Sequence, residues 1–131
     1  MRILALLLSL LLCACQTNPF AGDVPDKLSL QTKTFEDVVR WGALEKMYLF
    51  LKQDPAQPPV QVQDGLDNVR VTGYESSQLG KISETRWAQT AVIDYVLTDR
   101  QVVRQLVDHQ LWVSDDEGKT WYRENPVPLF R

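Results

Sequence analysis

Tyr74, Asp94, Tyr95, Asp108 and His109, the one histidine in the chain, are the side chains whose types suit proton transfer. General acid–base work needs an acceptor within hydrogen-bond reach of the proton it takes and a second polar group to orient it. Whether these five can meet depends on strand register, because successive side chains of a strand point to opposite faces. If Thr98-Asp99-Arg100 is a three-residue loop, Leu97 opposes Gln101, Asp94 opposes Arg104, Ala91 opposes Val107 and Trp87 opposes Leu111. Asp94 and Asp108 then face outward and His109 inward, next to Gln89. A two-residue loop at Asp99-Arg100 would put Trp87 beside Trp112, and a slip of one residue turns over every side chain of one strand. In the preferred first register a lone inward imidazole among Val and Leu reads as a hydrogen-bonded core residue before it reads as a base. Asp94 with Arg104 reads as an exposed cross-strand ion pair contributing ~0.2 to 1 kcal/mol. No catalytic set is assigned; His109, Tyr95 and Asp94 are the weak candidates. The chain has one His, and in this register no acid is turned inward beside it, which predicts no metal site, and no cofactor is expected.

The other reactive groups are Cys13 and Cys15, next to an apolar run. Arg2 supplies a positive charge, and Ile3 to Leu12 is apolar except for Ser9, with no acid. About ten such residues at ~1.5 Å each cover roughly 15 Å, half of a ~30 Å hydrocarbon core, so this is an export signal and not a permanent span. Leu12-Cys13-Ala14-Cys15 resembles the lipobox of bacterial lipoprotein signals, with Leu at −3 and a small residue at −1. The resemblance implies a diacylglycerol thioether on Cys15, cleavage before it (signal 1–14) and acylation of the new amine. Two or three acyl chains make a stable anchor where one is marginal. Gln16 follows the cysteine where inner-membrane lipoproteins of this class tend to carry Asp. The resemblance therefore implies the outer membrane, periplasmic face.

Removing residues 1–14 takes Arg2 from the 14 basic residues and none of the 17 acidic ones, leaving a net charge near −4. That balance argues against a nucleic-acid partner. With Cys13 cleaved and Cys15 lipidated no thiol remains for a disulfide or thiolate site. The remaining chain of about 117 residues suits one domain. Residues 15–33, with Pro19, Gly22 and Pro25 among polar neighbours, read as the lipidated cysteine and a flexible tether reaching roughly 20 to 25 Å.

Structure is expected from residue 34 to 131. Thr34 and Asp37 have the spacing of a capping box, and Leu44, Met47, Tyr48 and Leu51 have that of an amphipathic helix. Two short helices, or one bent at Gly42, follow. Pro55, Pro58 and Pro59 then rule out a helix in the crossover. From Asn68 the apolar period changes to 2. Val69 to Leu79, Glu84 to Leu97, Val102 to Ser114 and Thr120 to Glu124 form a four-stranded antiparallel meander. The fold class is α+β, two N-terminal helices packed on that meander.

Two helices before a long meander, with Val39-Arg40-Trp41-Gly42, Ile93-Asp94-Tyr95 and Asp108-His109-Gln110-Leu111-Trp112, resemble small proteobacterial lipoproteins of the nuclear transport factor 2-like, cone-shaped fold. Enzymes of that fold place Asp, His and Tyr inside the cup, which would imply isomerase- or dehydratase-like proton transfer. Separately, Ser114-Asp115-Asp116-Glu117-Gly118-Lys119-Thr120-Trp121 matches the Asp-box of sialidase propellers at every specified position. A single copy in so short a domain means a hairpin turn: Asp116 accepts from loop amides, Gly118 takes a positive φ and Trp121 packs beneath.

Trp41, Trp87, Trp112 and Trp121 fill the core or form a surface patch, and Trp112 and Tyr74 are the expected binding residues, Trp112 as the exposed one. Pro126 to Phe130 is an apolar, proline-broken tail that could lie on the helices or dangle. Together these readings predict a lipid-anchored envelope protein that acts as a binding or assembly module, with the bilayer and an envelope protein as partners. A cone-fold small-molecule enzyme is the alternative.

Overall fold

The computed structural model describes residues 23–131. The lipobox, including Cys13 and Cys15, lies outside them. Helix α1 spans Asp26–Trp41 and begins eight residues before Thr34, inside the stretch expected to be a tether. Its inward stripe is Leu28, Thr32, Phe35 and Val39, all buried, a spacing of four, three and four that follows one helix face. Thr32 in the middle of the stripe disguises it. Its hydroxyl is satisfied locally, donating to the Ser29 carbonyl at 3.0 Å. Thr34 is mid-helix, not a cap, and donates to the Leu30 carbonyl at 2.8 Å. Asp37 meets Lys33 at 3.0 Å instead of capping an amide. Pro25 fits the entry, since a proline there gives up no helical hydrogen bond.

α1 stops at Gly42, whose amide donates to the Val38 carbonyl at 2.9 Å. A Cβ at Gly42 would stand 2.9 Å from that same oxygen, so the turn admits only glycine without a shift. The second helical stretch, Leu44–Phe50, is a 3₁₀ helix that buries Leu44, Met47, Tyr48 and Phe50, with Leu51 buried just beyond it. A short 3₁₀ turn at Leu66–Asn68 leads into the sheet.

Among the described residues the sheet has five antiparallel strands rather than four: β1 Val69–Ser76, β2 Gly80–Ser83, β3 Arg86–Leu97, β4 Val102–Val113 and β5 Tyr122–Arg123, in the order β1-β3-β4-β5 with β2 also paired to β3. β2 is the unexpected one. It pairs with the start of β3 on the side that β1 takes further along, so the two are pieces of one interrupted edge. Register shifts between Val71 and Gly73 and between Lys81 and Ser83 mark where that edge bends.

The long hairpin pairs Leu97 with Val102, Asp94 with Gln105, Ala91 with Asp108, Thr90 with His109 and Trp87 with Trp112. This corrects the register expected from a three-residue loop. The connection is 98–101, and Gln101 takes a φ of 51° to close it. The one-residue difference inverts β4, so Asp108 faces the core and His109 the solvent.

One layer, α1 and the first 3₁₀ helix, covers the inner face of the other. Phe35, Phe50 and Trp112 meet edge to face, with ring centroids 5.2, 5.6 and 6.2 Å apart. Trp87, Ala91, Ile93 and Tyr95 complete the inner face of β3. The tail is docked: Val127 and Phe130 are buried, Phe130 stacks edge to face on Tyr95 at 5.0 Å, and Gln63 exchanges two hydrogen bonds with the Phe130 backbone.

Candidate functional site

The alternation that carries Trp121 into the core also carries Arg123 there. Leu111 and Glu124 share a backbone bond that holds β5 against the end of β4, placing Arg123 under Phe35, 5.3 Å from its ring. Arg123 and Asp108 are both almost fully buried, and the guanidinium holds both carboxylate oxygens. Of its remaining donors, Nε and the second hydrogen on Nη2 reach the Asn125 and Pro126 carbonyls at 3.2 and 2.8 Å. A buried pair persists when its charges are matched and further hydrogen bonds support it; here the charges are matched and two more guanidinium hydrogens reach carbonyls.

The network runs on from Asp108. Gln110 donates to Asp108 at 3.0 Å and to the Tyr74 hydroxyl at 2.7 Å, and its carbonyl accepts from the Trp112 indole at 3.0 Å. Burial, the largest influence, pushes the Tyr74 phenol up to about 12; the Gln110 bond opposes it and the nearby Asp108 charge adds to it. Tyr74 is therefore a neutral hydroxyl at physiological pH that accepts from Gln110 and keeps its own proton to give. It forms part of the lining of an open cleft of about 450 Å³ between α1 and the β1–β2 junction, with Thr32, Lys33, Glu36, Ser77 and Gln89 around it.

The expected proton-transfer residues do not converge. His109 is exposed, with Nδ1 3.3 Å from the Thr90 hydroxyl, while Gln89, its expected neighbour, stands opposite Gln110 and donates to the Ser77 carbonyl. Asp94 is half-buried on the outer face and accepts from Gln105 at 2.8 Å, replacing the expected ion pair with Arg104. Tyr95 is buried and donates to the Arg131 carbonyl at 2.7 Å. Trp112, expected at the surface, is fully buried; Trp41 is the exposed indole, 75% accessible, with the Arg40 guanidinium 4.1 Å above it. Burial removes Trp112 from any binding surface, whereas Tyr74 reaches the cleft.

In the Asp-box turn, Asp116 Oδ1 accepts from the Thr120 amide at 2.8 Å and the Ser114 hydroxyl at 2.9 Å, while the Gly118 amide donates to Ser114. The hydrogen bonds from Thr120 come first in lowering the Asp116 carboxyl to about 2. Gly118 has φ 83°, and Trp121 is buried beneath the turn.

Among the described residues no cluster of three or more His, Cys, Asp or Glu could hold a metal, and no helix is long and apolar enough to cross a membrane. No family model, curated protein or solved structure matches the chain.

Arg123, Gln110 and inward Asp108 were missed as a network. The available signal was parity: Asp108, Gln110 and Trp112 alternate on the core face of β4, and Trp121 and Arg123 alternate onto the same face.

Proposed function

We propose that this chain is a lipid-anchored protein of the cell envelope, held at the periplasmic face of the outer membrane through Cys15, whose domain acts by binding and not by catalysis. The anchor rests on Leu12-Cys13-Ala14-Cys15 following an apolar run too short to span. The binding reading is carried by one observation: Asp108, the inward carboxylate, is spent on Arg123, while His109 stands on the opposite face of the sheet. An acid and base so separated cannot share a substrate proton. The partner is an envelope protein. Cys15→Ser should lose acyl label and leave the membrane fraction; an unlabelled wild type, or a variant that stays in the membrane, would refute the anchor.

The cone-fold enzyme reading retains one supporting feature, the cleft in which the neutral hydroxyl of Tyr74 and the carboxylate of Glu36 both appear. On that reading Tyr74 gives a proton and Glu36 takes one. Glu36→Gln, which removes the proton acceptor and keeps the side chain's size, separates the two proposals. Loss of cellular function with an unchanged melting temperature would favour the enzyme.

A further inference from the structure

The two edges of the sheet are built differently. The β1–β2 edge is interrupted between Ser76 and Gly80, shifted in register at two places, carries Lys81, and has its Val71 carbonyl taken by Arg40 at 2.9 Å. Those are the devices that stop an edge from recruiting another strand. The β4 edge has none of them. Only Trp112 and Val113 of its residues pair with β5, and Val102-Val103-Arg104-Gln105-Leu106-Val107 contains no proline, glycine, lysine or bulge.

Backbone direction along β4 follows from its bonded end. The Leu111 amide donates to Asn125, the Leu111 carbonyl accepts from Glu124, and the His109 carbonyl accepts from Asn125, so these odd-numbered residues direct their backbone groups away from β3. The β3–β4 register is unbroken, which extends the same direction to Val107, Gln105 and Val103. Their amides and carbonyls face an edge that no strand among the described residues occupies. The side chains of Val103 and Val107 are 76% and 54% exposed on the outer face.

We propose that this edge pairs with the same edge of a second copy of the chain, antiparallel and centred on Gln105. In that register Gln105 faces Gln105, and Val103 faces Val107 twice. Val103, Gln105 and Val107 then all stand in hydrogen-bonded pairs, which a shift in either direction would lose. Each exposed valine gains an apolar cross-strand neighbour. On the inner face Arg104 meets Leu106 and Val102 meets Asp108, which keeps its bond to Arg123. Arg104 approaches its own copy only diagonally, at ~7 to 8 Å and in solvent. The two sheets become one continuous sheet. A contact of one strand's length falls in the weak, concentration-dependent class of interfaces. The pairing does not depend on lipidation.

Disulfide trapping in the full-length protein tests it, since paired Cα atoms at a hydrogen-bonded site stand ~5.5 Å apart, within disulfide range. Under mild oxidation Gln105→Cys should give a covalent homodimer several-fold above wild type, whose own cysteines set the baseline, and above Gln78→Cys on the opposite edge. Adding Val103→Lys and Val107→Lys, which sets lysine against lysine, should return the yield to baseline with the melting temperature kept. If the lysines unfold the domain, Val103→Pro removes an amide aimed at the open edge and should have the same effect. No excess over Gln78→Cys, a dimer indifferent to these substitutions, or trapping mainly to a chain of different mass would overturn the proposal.

Discussion

Asp108 and Arg123 are joined at two points, Oδ2 to Nη1 at 2.8 Å and Oδ1 to Nη2 at 2.5 Å, with 3% and 1% of their side chains accessible. The pair ties the middle of β4 to β5 through side chains, where the two strands share only a short ladder. It fixes where β5 lies more than it adds to stability, because desolvating both charges offsets most of their attraction.

Removing one partner is the severe change. Asp108→Ala should cost about 3 to 5 kcal/mol by leaving the Arg123 charge buried and unmatched, while Asp108→Leu combined with Arg123→Met should recover much of the loss. Urea denaturation of the single and double variants measures both. A single-variant cost below about 1 kcal/mol would contradict the buried pair.

The Asp-box turn makes a pH prediction. Asp116 ionises at about 2 in the folded protein against the usual 3.8, so its contribution is fully present above the unfolded value and is lost as pH falls from there through the folded one. Asp116→Asn should flatten the fall in stability between these limits, read by denaturant midpoints at a series of pH values. Gly118→Val should cost about 1 to 2 kcal/mol through the strain of a branched residue at positive φ.

Tyr74 is testable by absorbance. In a spectrophotometric titration one tyrosine should ionise late, near 12, and Tyr74→Phe should abolish that step. Because the folded value is raised, the burial of Tyr74 stabilises the domain below pH ~10 and ceases to do so as pH rises through the folded value.

The two faces of β4 should respond oppositely to substitution. His109→Gln, on the outer face, should change stability by no more than ~0.5 kcal/mol. Trp112→Ala, which empties the site packed by Phe35 and Phe50, should cost about 3 to 5 kcal/mol. Thermal melts of the two variants decide it, and equal effects would mean the register is wrong.

The α+β class and the long β3–β4 hairpin were legible because their apolar periods extend over many residues. The face of each β4 residue was not, because it depends on whether Gln101 enters the loop with a positive φ, and glutamine gives no sign of that. The alternative two-residue loop carried the observed pairing of Trp87 with Trp112, although the real connection is longer. The start of α1 was hidden by Thr32 at a buried position and by the polar Gln31, Lys33 and Thr34 around it. β2 escaped because Gly80–Ser83 is short and exposed along its whole length. Arg123 was invisible for a different reason. A charged residue is read as exposed unless its partner is known, and the partner's direction was fixed by the same register.

Gln63 and Phe130 are held together across 67 positions of sequence, whereas most of the sheet is made by neighbours along the chain. Hairpin contacts close small loops and can form early, but this clasp repays its loop-closure entropy only after the intervening sheet exists. The clasp is therefore expected to form after the hairpins it spans. The amides beside Phe130 should exchange with solvent through partial opening, on a shorter timescale than those at the centre of β3, which await global unfolding.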